Sequence, residues 1–407
     1  MSRLGLLGQD TGYRYLWGAR TLSVLGDTFT TVALVLYAAQ LENAGTLVGL
    51  LLVAQTLPRL LGPIAGAIAD RVDHRRLMLG CELGQGVLIG TIALTTPPFP
   101  VVLGLVAAAA LLSTLFQPAG RSTVPVLVAA GDVPAANALL SSGLNLALAL
   151  GPALAGLLVG SIGMRGALFI DALTFLASAM LLARLPPLPP VGRPDEPTAG
   201  ILTATRVGLS YVAGHRVARS VAIGLFLVVI FGSLRNVALV FLAEGALHAG
   251  QTGYGLLSSA YGIGLVAGPL GLLRWSRRLA PAQSLLLGIG LMAIGPLVIG
   301  AIPNLAVALL FQILTGIGNG LQNVSNDTLV QRSVPRSLMG RVFGAVYTCA
   351  YVASAITYGL GGTLLQIVSP QSLFIACGIG TIGAFITVSL ILPRSTYGKD
   401  KVAESQV

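Results

Sequence analysis

Charge is scarce in this chain. Asp, Glu, Lys and Arg make up 9% of its 407 residues, against 55% that are hydrophobic, and the mean hydropathy is +0.86. So few charged side chains cannot clothe a soluble domain of this size, which points to an integral membrane protein. Cysteine is scarce too: Cys81, Cys349 and Cys377 all fall in apolar runs and show none of the CxxC spacing of a metal or redox centre, so they read as small packing residues. No GxxxxGK[ST] loop occurs, which argues against ATP drive by this chain. No compact His/Asp/Ser or metal-ligand arrangement appears, so neither an enzyme nor a cofactor is expected. The start of the chain lacks the short apolar core and small-residue cleavage site of a signal peptide, so the first apolar run is expected to be retained as its own targeting signal.

Long apolar runs are abundant. They lie near 15–39, 46–69, 77–97, 100–118, 138–162, 165–185, 216–241, 252–273, 280–302, 304–330, 340–366 and 370–392, each long enough for the roughly 20 residues that cross a ~30 Å hydrocarbon core. An all-α membrane protein of twelve transmembrane helices is therefore expected. Of the 24 basic residues, all but three fall on one side of such a membrane: Arg3, Arg14 and Arg20; Arg71, Arg75 and Arg76; Arg121; Arg184, Arg193, Arg206, Arg216 and Arg219; Arg274, Arg277 and Arg278; Arg332, Arg336 and Arg341; Arg394, Lys399 and Lys401. Arg165 falls on the other side, and Arg59 and Arg235 lie inside spans. The positive-inside rule makes both termini cytoplasmic. It also accounts for the net charge of +10 without a nucleic-acid partner, since these arginines sit beside helix ends and anionic headgroups.

One long polar interval divides the chain into a first half, 1–185, a linker, 186–215, a second half, 216–393, and a tail, 394–407. The linker begins as proline-rich LPPLPPVGRPDEP, an extended segment. It continues with Ile201, Leu202, Val207 and Val212 among Arg206, His215 and Arg216, which reads as an amphipathic helix on the cytoplasmic surface or as a solvated loop. Six runs precede it and six follow. Gly62-Pro63 before the basic DRVDHRR is echoed about half a chain later by Gly268-Pro269 before RWSRR. Such duplicated halves are the plan of secondary transporters, with a site near the midplane.

An ionisable side chain at the membrane centre costs at least ~2.5–3.5 kcal/mol on insertion scales, so each one needs a partner or a function. Asp27 lies ~18 Å along the first helix and Arg59 ~17 Å from the cytoplasmic end of the second, at matching depth. They are a proton or cation-substrate site at Asp27, a structural ion pair, or unrelated in placement. Asp171 and Arg235 fall nearer outer helix ends, as a gate or as locally solvated charges. Glu82 and Asp327 read as members of cytoplasmic charge networks. Phe29, Tyr37, Phe226, Phe231, Tyr254, Tyr261, Tyr347, Tyr351 and Tyr358, with Asn145, Gln312, Asn319, Gln322, Asn323 and Asn326, are candidates for a cavity wall; the aromatic ones serve equally as packing or lipid-facing residues. Asn319, Asn323 and Asn326 share one helix face, as do Tyr347, Tyr351 and Tyr358.

The segment Gly66-Ala-Ile68-Ala-Asp70-Arg71-Val-Asp73-His74-Arg75-Arg76 resembles the G-x-L-x-D-R-x-G-R-K/R signature of the major facilitator superfamily, with Asp73 in place of the usual Gly and His74 in place of a basic residue. Phe116-Gln-Pro118-Ala119, Pro125, Ala136-Asn137-Ala138-Leu139, Gly151-Pro152 with Gly156, Thr328-Leu329-x-Gln331, Pro335 and Gly340-Arg341-Val342 are similar to the drug:proton antiporter branch that includes macrolide-type exporters and the enterobactin exporter. The resemblance implies two six-helix halves, a cytoplasmic lock involving Gly66, Asp70, Arg71, Arg75 and Arg76, and an export motif at Gly151, Pro152 and Gly156. It departs in lacking the arginine that many drug antiporters carry in the fourth helix, since 100–118 holds no charge. The resulting expectation is a monomeric, proton-coupled exporter of small amphipathic compounds in a prokaryotic plasma membrane; a lipid or glycolipid flippase and an uptake permease for a small metabolite are the alternatives.

Overall fold

In the computed structural model, residues 10–189, 201–275, 279–335 and 338–393 are described, and every regular element among them is helical. The helices are α1 (Thr11–Ala39), α2 (Ala44–Thr56), α3 (Gly62–Ala69), α4 (His74–Thr95), α5 (Phe99–Leu127), α6 (Val133–Leu182), α7 (Ile201–Gly214), α8 (Arg216–Phe241), α9 (Gly250–Trp275), α10 (Pro281–Ala301), α11 (Leu305–Ser333), α12 (Met339–Leu364) and α13 (Pro370–Ile391). A 3₁₀ turn, Leu57–Leu61, joins α2 to α3, because Pro58 and Pro63 remove two backbone donors from what would otherwise be one span. α6 breaks at Gly163, whose φ of 74° and ψ of 175° lie in a region open essentially to glycine, so it is two limbs meeting at a sharp bend. Among the described residues ten segments are long and apolar enough to cross a membrane, with Val133–Leu182 counted once and Gly250–Trp275 not among them.

Starts are set by residues that satisfy free backbone donors. Asn304 Oδ1 accepts from Ala306 N (3.0 Å) and Val307 N (3.2 Å), and Ser369 Oγ from Ser372 N (3.2 Å). Several hydroxyls inside the helices, such as those of Thr114 and Thr328, donate to the carbonyl one turn earlier and so need no water. The outward faces are apolar: Val87 is 68% exposed, Leu94 72% and Leu390 78%, a distribution suited to lipid and not to water.

Two compact units divide the chain, one of Met1–Gln40 with Ala54–Thr198 and one of Leu41–Val53 with Ala199–Val407. In the first, α1 runs between the two limbs of α6. Tyr13 Oη donates to Ala136 O (2.6 Å) and Trp17 Nε1 to Leu139 O (3.1 Å). Gly143, Ala147, Gly151 and Ala155, spaced four apart and all buried, make a small-residue stripe. In the second unit glycines bring backbones into direct contact. A Cβ on Gly264 would lie 2.0 Å from Ile313 O, and one on Gly316 2.1 Å from Tyr261 O, which locks α9 to α11. The linker helix forms as α7, but one face meets protein: Tyr211 Oη donates to Ser333 O (3.2 Å), and Gly208 abuts the Arg341 carbonyl, while Arg206 and Leu209 are exposed. The proline-rich stretch 190–200 with Arg193, and also Arg3, Arg277, Arg278, Arg336 and the tail with Arg394, Lys399 and Lys401, lie outside the described residues.

Two boundaries differ from expectation. The fourth span ends at Leu127, well beyond 118, so α5 does carry a charge, the exposed Arg121. Pro118 and Pro125 are absorbed within the helix, and Thr123 Oγ donates to Ala119 O (2.8 Å) between them. The second is Arg20, assigned to a cytoplasmic loop by its charge but buried within α1 at 3% exposure.

If backbone contact holds α9 to α11, Gly264→Ala should lower the unfolding temperature of the detergent-solubilised protein by several degrees, since the carbonyl it would strike cannot rotate away. Gly104→Ala, with nothing within 4 Å of the added Cβ, should leave that temperature unchanged or raise it slightly. Equal behaviour of the two variants in a thermal melt would refute the packing account.

Candidate functional site

Arg20, Ser23, Asp27 and Thr30 follow one another on α1 at spacings of three, four and three, a polar stripe along one face of the helix. Elements around it supply matching groups: Glu82 and Gln85 from α4, Ser113 and Gln117 from α5, Asp171 and Thr174 from the second limb of α6, and Arg59 from the 3₁₀ turn. A cavity of about 110 Å³ is walled by Asp27, Asp171, Arg59, Thr30, Gln85 and Ser113, among others. A smaller one of about 10 Å³ lies beside it, sharing Asp27, Gln85 and Ser113 and adding Arg20, Glu82 and Gln117. The matched depth of Asp27 and Arg59 thus brings both to one wall.

Around the smaller cavity, Arg20 Nη2 donates to Gln117 Oε1 (2.9 Å), and its guanidinium lies 5.4 Å from the centre of the Phe116 ring. Gly120 makes room, since a Cβ there would lie 2.6 Å from Arg20 Nη1. The Phe116-Gln-Pro-Ala-Gly120 stretch is therefore a cradle for a guanidinium. The buried arginine that the fourth helix lacks is delivered against it from α1. Glu82 is likewise 1% exposed, accepting from Ser23 Oγ (3.1 Å), and is a buried member of this network instead of a charge at the cytoplasmic loop.

Asp171 is fully buried, which removes the reading of a solvated charge at a helix end. Thr30 Oγ donates to its Oδ2 and Thr174 Oγ to its Oδ1 (3.1 Å). Its carboxyl sits against the backbone of α1: a Cβ on Gly26 would lie 2.1 Å from Asp171 Oδ1. Close by, Gly151 admits Thr28, whose Oγ1 would be 2.1 Å from an added Cβ. Pro152 and Gly156 continue that limb, with Gly156 buried and Pro152 half-buried. Asn145 on the same limb is half-buried and Phe29 is packed in the core at 5% exposure.

In the second unit Arg235 has neutral partners. It donates from Nη1 to Gln312 Oε1 (2.6 Å) and from Nη2 to Asn236 Oδ1 (3.1 Å), and stacks 4.6 Å from the Tyr261 ring centre. Asn323 Nδ2 donates to Asn319 Oδ1 (3.0 Å) and Tyr347 Oη to Asp327 Oδ1 (3.0 Å), with Tyr351 half-buried one turn on. Asp327 is thus bonded to an aromatic of the neighbouring helix.

The loop at 70–76 shows what its unusual residues do. Asp70 and Arg71 are exposed, and Gly66 O accepts from Asp70 N (3.0 Å). Asp73 Oδ1 accepts from Arg76 N (2.8 Å), capping α4, and its Oδ2 accepts from Leu188 N (3.0 Å). His74, buried, donates its backbone N–H to Leu188 O (2.9 Å), and Arg75 reaches the Ala183 carbonyl, while Arg76 is exposed. The departure from the superfamily signature at Asp73 therefore staples the end of α6 to the loop, which no property of the loop alone could reveal.

A multi-pass helical protein with an ionisable cavity inside one helical unit is the architecture of a membrane transporter. Solved structures agree on the fold: a POT family transporter in complex with 5-aminolevulinic acid aligns with a TM-score of 0.75 over 95% of this chain and 97% of that one at 14% identity. A bacterial homologue of the lysosomal transporter Spinster aligns at 0.68 over 96% of each chain, at 15% identity. The family model for transmembrane secretion effectors matches residues 3–405, and the chain belongs to that family of major facilitator transporters; it is not an enzyme. Among relatives, the uncharacterised MFS-type transporter YfiS of Bacillus subtilis is 28% identical over 98% of this chain and 96% of its own length. The multidrug efflux pump Tap of Mycolicibacterium fortuitum is 25% identical over 91% and 92%, and the enterobactin exporter EntS of Citrobacter koseri 24% identical over 96% and 94%.

Replacing Asp73 by Gly, the superfamily's residue, should weaken the helix cap by only about a few tenths of a kcal/mol but release Leu188. Amide hydrogen exchange at Arg76 and Leu188 should rise together in Asp73→Gly; a change at Arg76 alone would show that the staple does not hold.

Proposed function

We propose that this protein is a twelve-span, proton-coupled exporter of amphipathic drugs or secondary metabolites, working as a monomer by alternating access in a prokaryotic plasma membrane. Its termini are cytoplasmic, and six-helix halves flank the linker 186–215. The observation that carries this reading is the cavity walled by Asp27 and Arg59. Charge is buried there at a cost of several kcal/mol in a protein that otherwise avoids it. A proton taken up at Asp27 neutralises the carboxylate and releases its hold on Arg59; substrate loading and proton release then alternate as the cavity changes exposure. Efflux relatives such as Tap and EntS support the direction of transport. The stripes Asn319–Asn323 and Tyr347–Tyr351, with Phe29, Asn145 and Arg235, supply aromatic and polar surface for amphipathic substrates, and Gly151, Pro152 and Gly156 form the export motif. Gly66, Asp70, Arg71, Arg75 and Arg76 form the cytoplasmic lock.

Orientation and lock stand together on one measurement. In a cysteine-free background, a cysteine introduced at 70–76 should be shielded from an impermeant thiol reagent outside intact cells, and one at 43–45 should react; the reverse pattern would remove both.

Coupling is tested in reconstituted vesicles with ethidium as the transported probe. Asp27→Asn should abolish export driven by a pH gradient while leaving downhill exchange, because an amide mimics the protonated acid but has no proton to give. A purely structural pair instead predicts loss of folded protein on Asp27→Asn and partial recovery when Arg59 is neutralised as well. Full gradient-driven export by folded Asp27→Asn would eliminate Asp27 as the coupling acid.

A further inference from the structure

The stripe on α1 gathers three carboxyl groups, Asp27, Glu82 and Asp171, around two guanidinium groups, Arg20 and Arg59. Asp27 lines both cavities, and the other four divide between them. Arg20 and Glu82 line the smaller cavity, and Arg20 is 3% exposed with Nε and Nη1 buried and lacking hydrogen-bond partners. Asp27, Asp171 and Arg59 line the larger one. No other charged group joins them on the larger cavity wall; α4 contributes Gln85 and Ile89, and α5 contributes Ser113 and apolar residues, its Arg121 being exposed at the far end of the helix. Across the two cavities three carboxylates face two guanidinium groups, Arg20 and Glu82 meeting Asp27 from the smaller one, so full ionisation leaves a net negative charge that burial penalises. The hydrogen-bond donors to Asp171 are neutral hydroxyls, Thr30 and Thr174, which orient the acid without compensating its charge.

We propose that Asp27 and Asp171 form a two-carboxyl unit that holds one exchangeable proton opposite Arg59, and that Gly26 exists to admit Asp171 to it. Any side chain at Gly26 would occupy the position of the Asp171 carboxyl, since an added Cβ falls 2.1 Å from Oδ1. The proposal rests on the proton-coupled reading and sharpens it: the proton belongs to a pair of helices, α1 and the second limb of α6, and not to Asp27 alone. One proton from the external medium bonds to one carboxylate oxygen and cancels the surplus negative charge; the same O–H bond breaks when that proton is delivered to the cytoplasm. Two carboxyls titrate as a unit, so replacing either abolishes the shared proton. With one acid left, the remaining carboxylate and Arg59 balance without it.

The test needs no transported substrate. Full-length protein in lipid nanodiscs is titrated while the carbonyl stretch of protonated carboxyl groups is followed by infrared difference spectroscopy, above about pH 6, where exposed carboxyls are already ionised. The native protein should show one protonated-carboxyl band with a one-proton midpoint. Asp171→Asn and Asp27→Asn should each abolish it, and Glu82→Gln should retain it. Survival of the band with its native midpoint in Asp171→Asn, or its loss in Glu82→Gln with retention in Asp171→Asn, would overturn the proposal. Should Asp171→Asn fail to fold, Thr30→Val carries the test. Removing a hydroxyl that donates to the carboxylate should move the midpoint to higher pH, and an unmoved midpoint counts against the pair. Ethidium export by the same variants reconstituted in vesicles separates the two readings: a band lost in both Asp variants without any gradient-driven export keeps the dyad and discards the exporter, and export with a band indifferent to Asp171 does the reverse.

Discussion

Close approach of α1 to both limbs of α6 is the constraint on which the first unit depends. Lipid tails are as apolar as leucine side chains, so no hydrophobic drive presses these helices together, and contact has to come from shape. Glycines provide it on both sides: Gly143 and Gly151 receive Trp17, Thr21 and Thr28 from α1, and Gly26 receives Asp171 and Thr174. Near the start of α1 the Tyr13 and Trp17 hydrogen bonds fix the register. The bend at Gly163 is a precondition, because only a return of the chain at that point lets one continuous segment flank α1 twice.

Polar chemistry follows from that packing. An α-helix clamped on two sides has its remaining face open to α4, α5 and the 3₁₀ turn, and that is the face carrying Arg20, Ser23, Asp27 and Thr30. Interhelical hydrogen bonds in membranes are individually modest, on the order of 1 kcal/mol, so the network does not hold the unit together. The glycine contacts do that, and the network is thereby relieved of a structural duty, as the proposed proton coupling requires.

Much of the fold was legible because its determinants are local. Span hydropathy is a property of one window, and the helix limits fall within a few residues of expectation at Thr11–Ala39, Arg216–Phe241 and Pro370–Ile391. Arg121 and Pro125 lie beyond the expected span 100–118, and α5 runs through both, since internal prolines are tolerated in membrane helices. The site was legible only in part. Asp27 and Arg59 were found from depth along two helices, a one-dimensional measure. Arg20 and Glu82 were misread because a charge near a span end has the same sequence appearance whether it points to headgroups or inward. Their spacing to Asp27 along α1 and to Gln85 along α4 was the available signal. Asp171 needed knowledge that Gly26 faces it, and no pattern within either helix carries that.

The same reasoning separates the two units. Arg235 is as deeply buried as Arg20, yet it is met by Gln312, Asn236 and the Tyr261 ring, all neutral and in place. A guanidinium stays charged at any physiological pH, so this arrangement is fixed: it orients polar groups and cannot respond to a proton. Asp327, bonded to Tyr347 on a partly exposed face, is the acid that α11 offers, whereas Asp27, Glu82 and Asp171 stand around connected cavities within a single helical unit. A group can be protonated and released repeatedly only where its charge is neither fully paired nor freely solvated. That is the condition the proposed coupling sets for the first unit, whose packing by glycines leaves its acids free of a structural role.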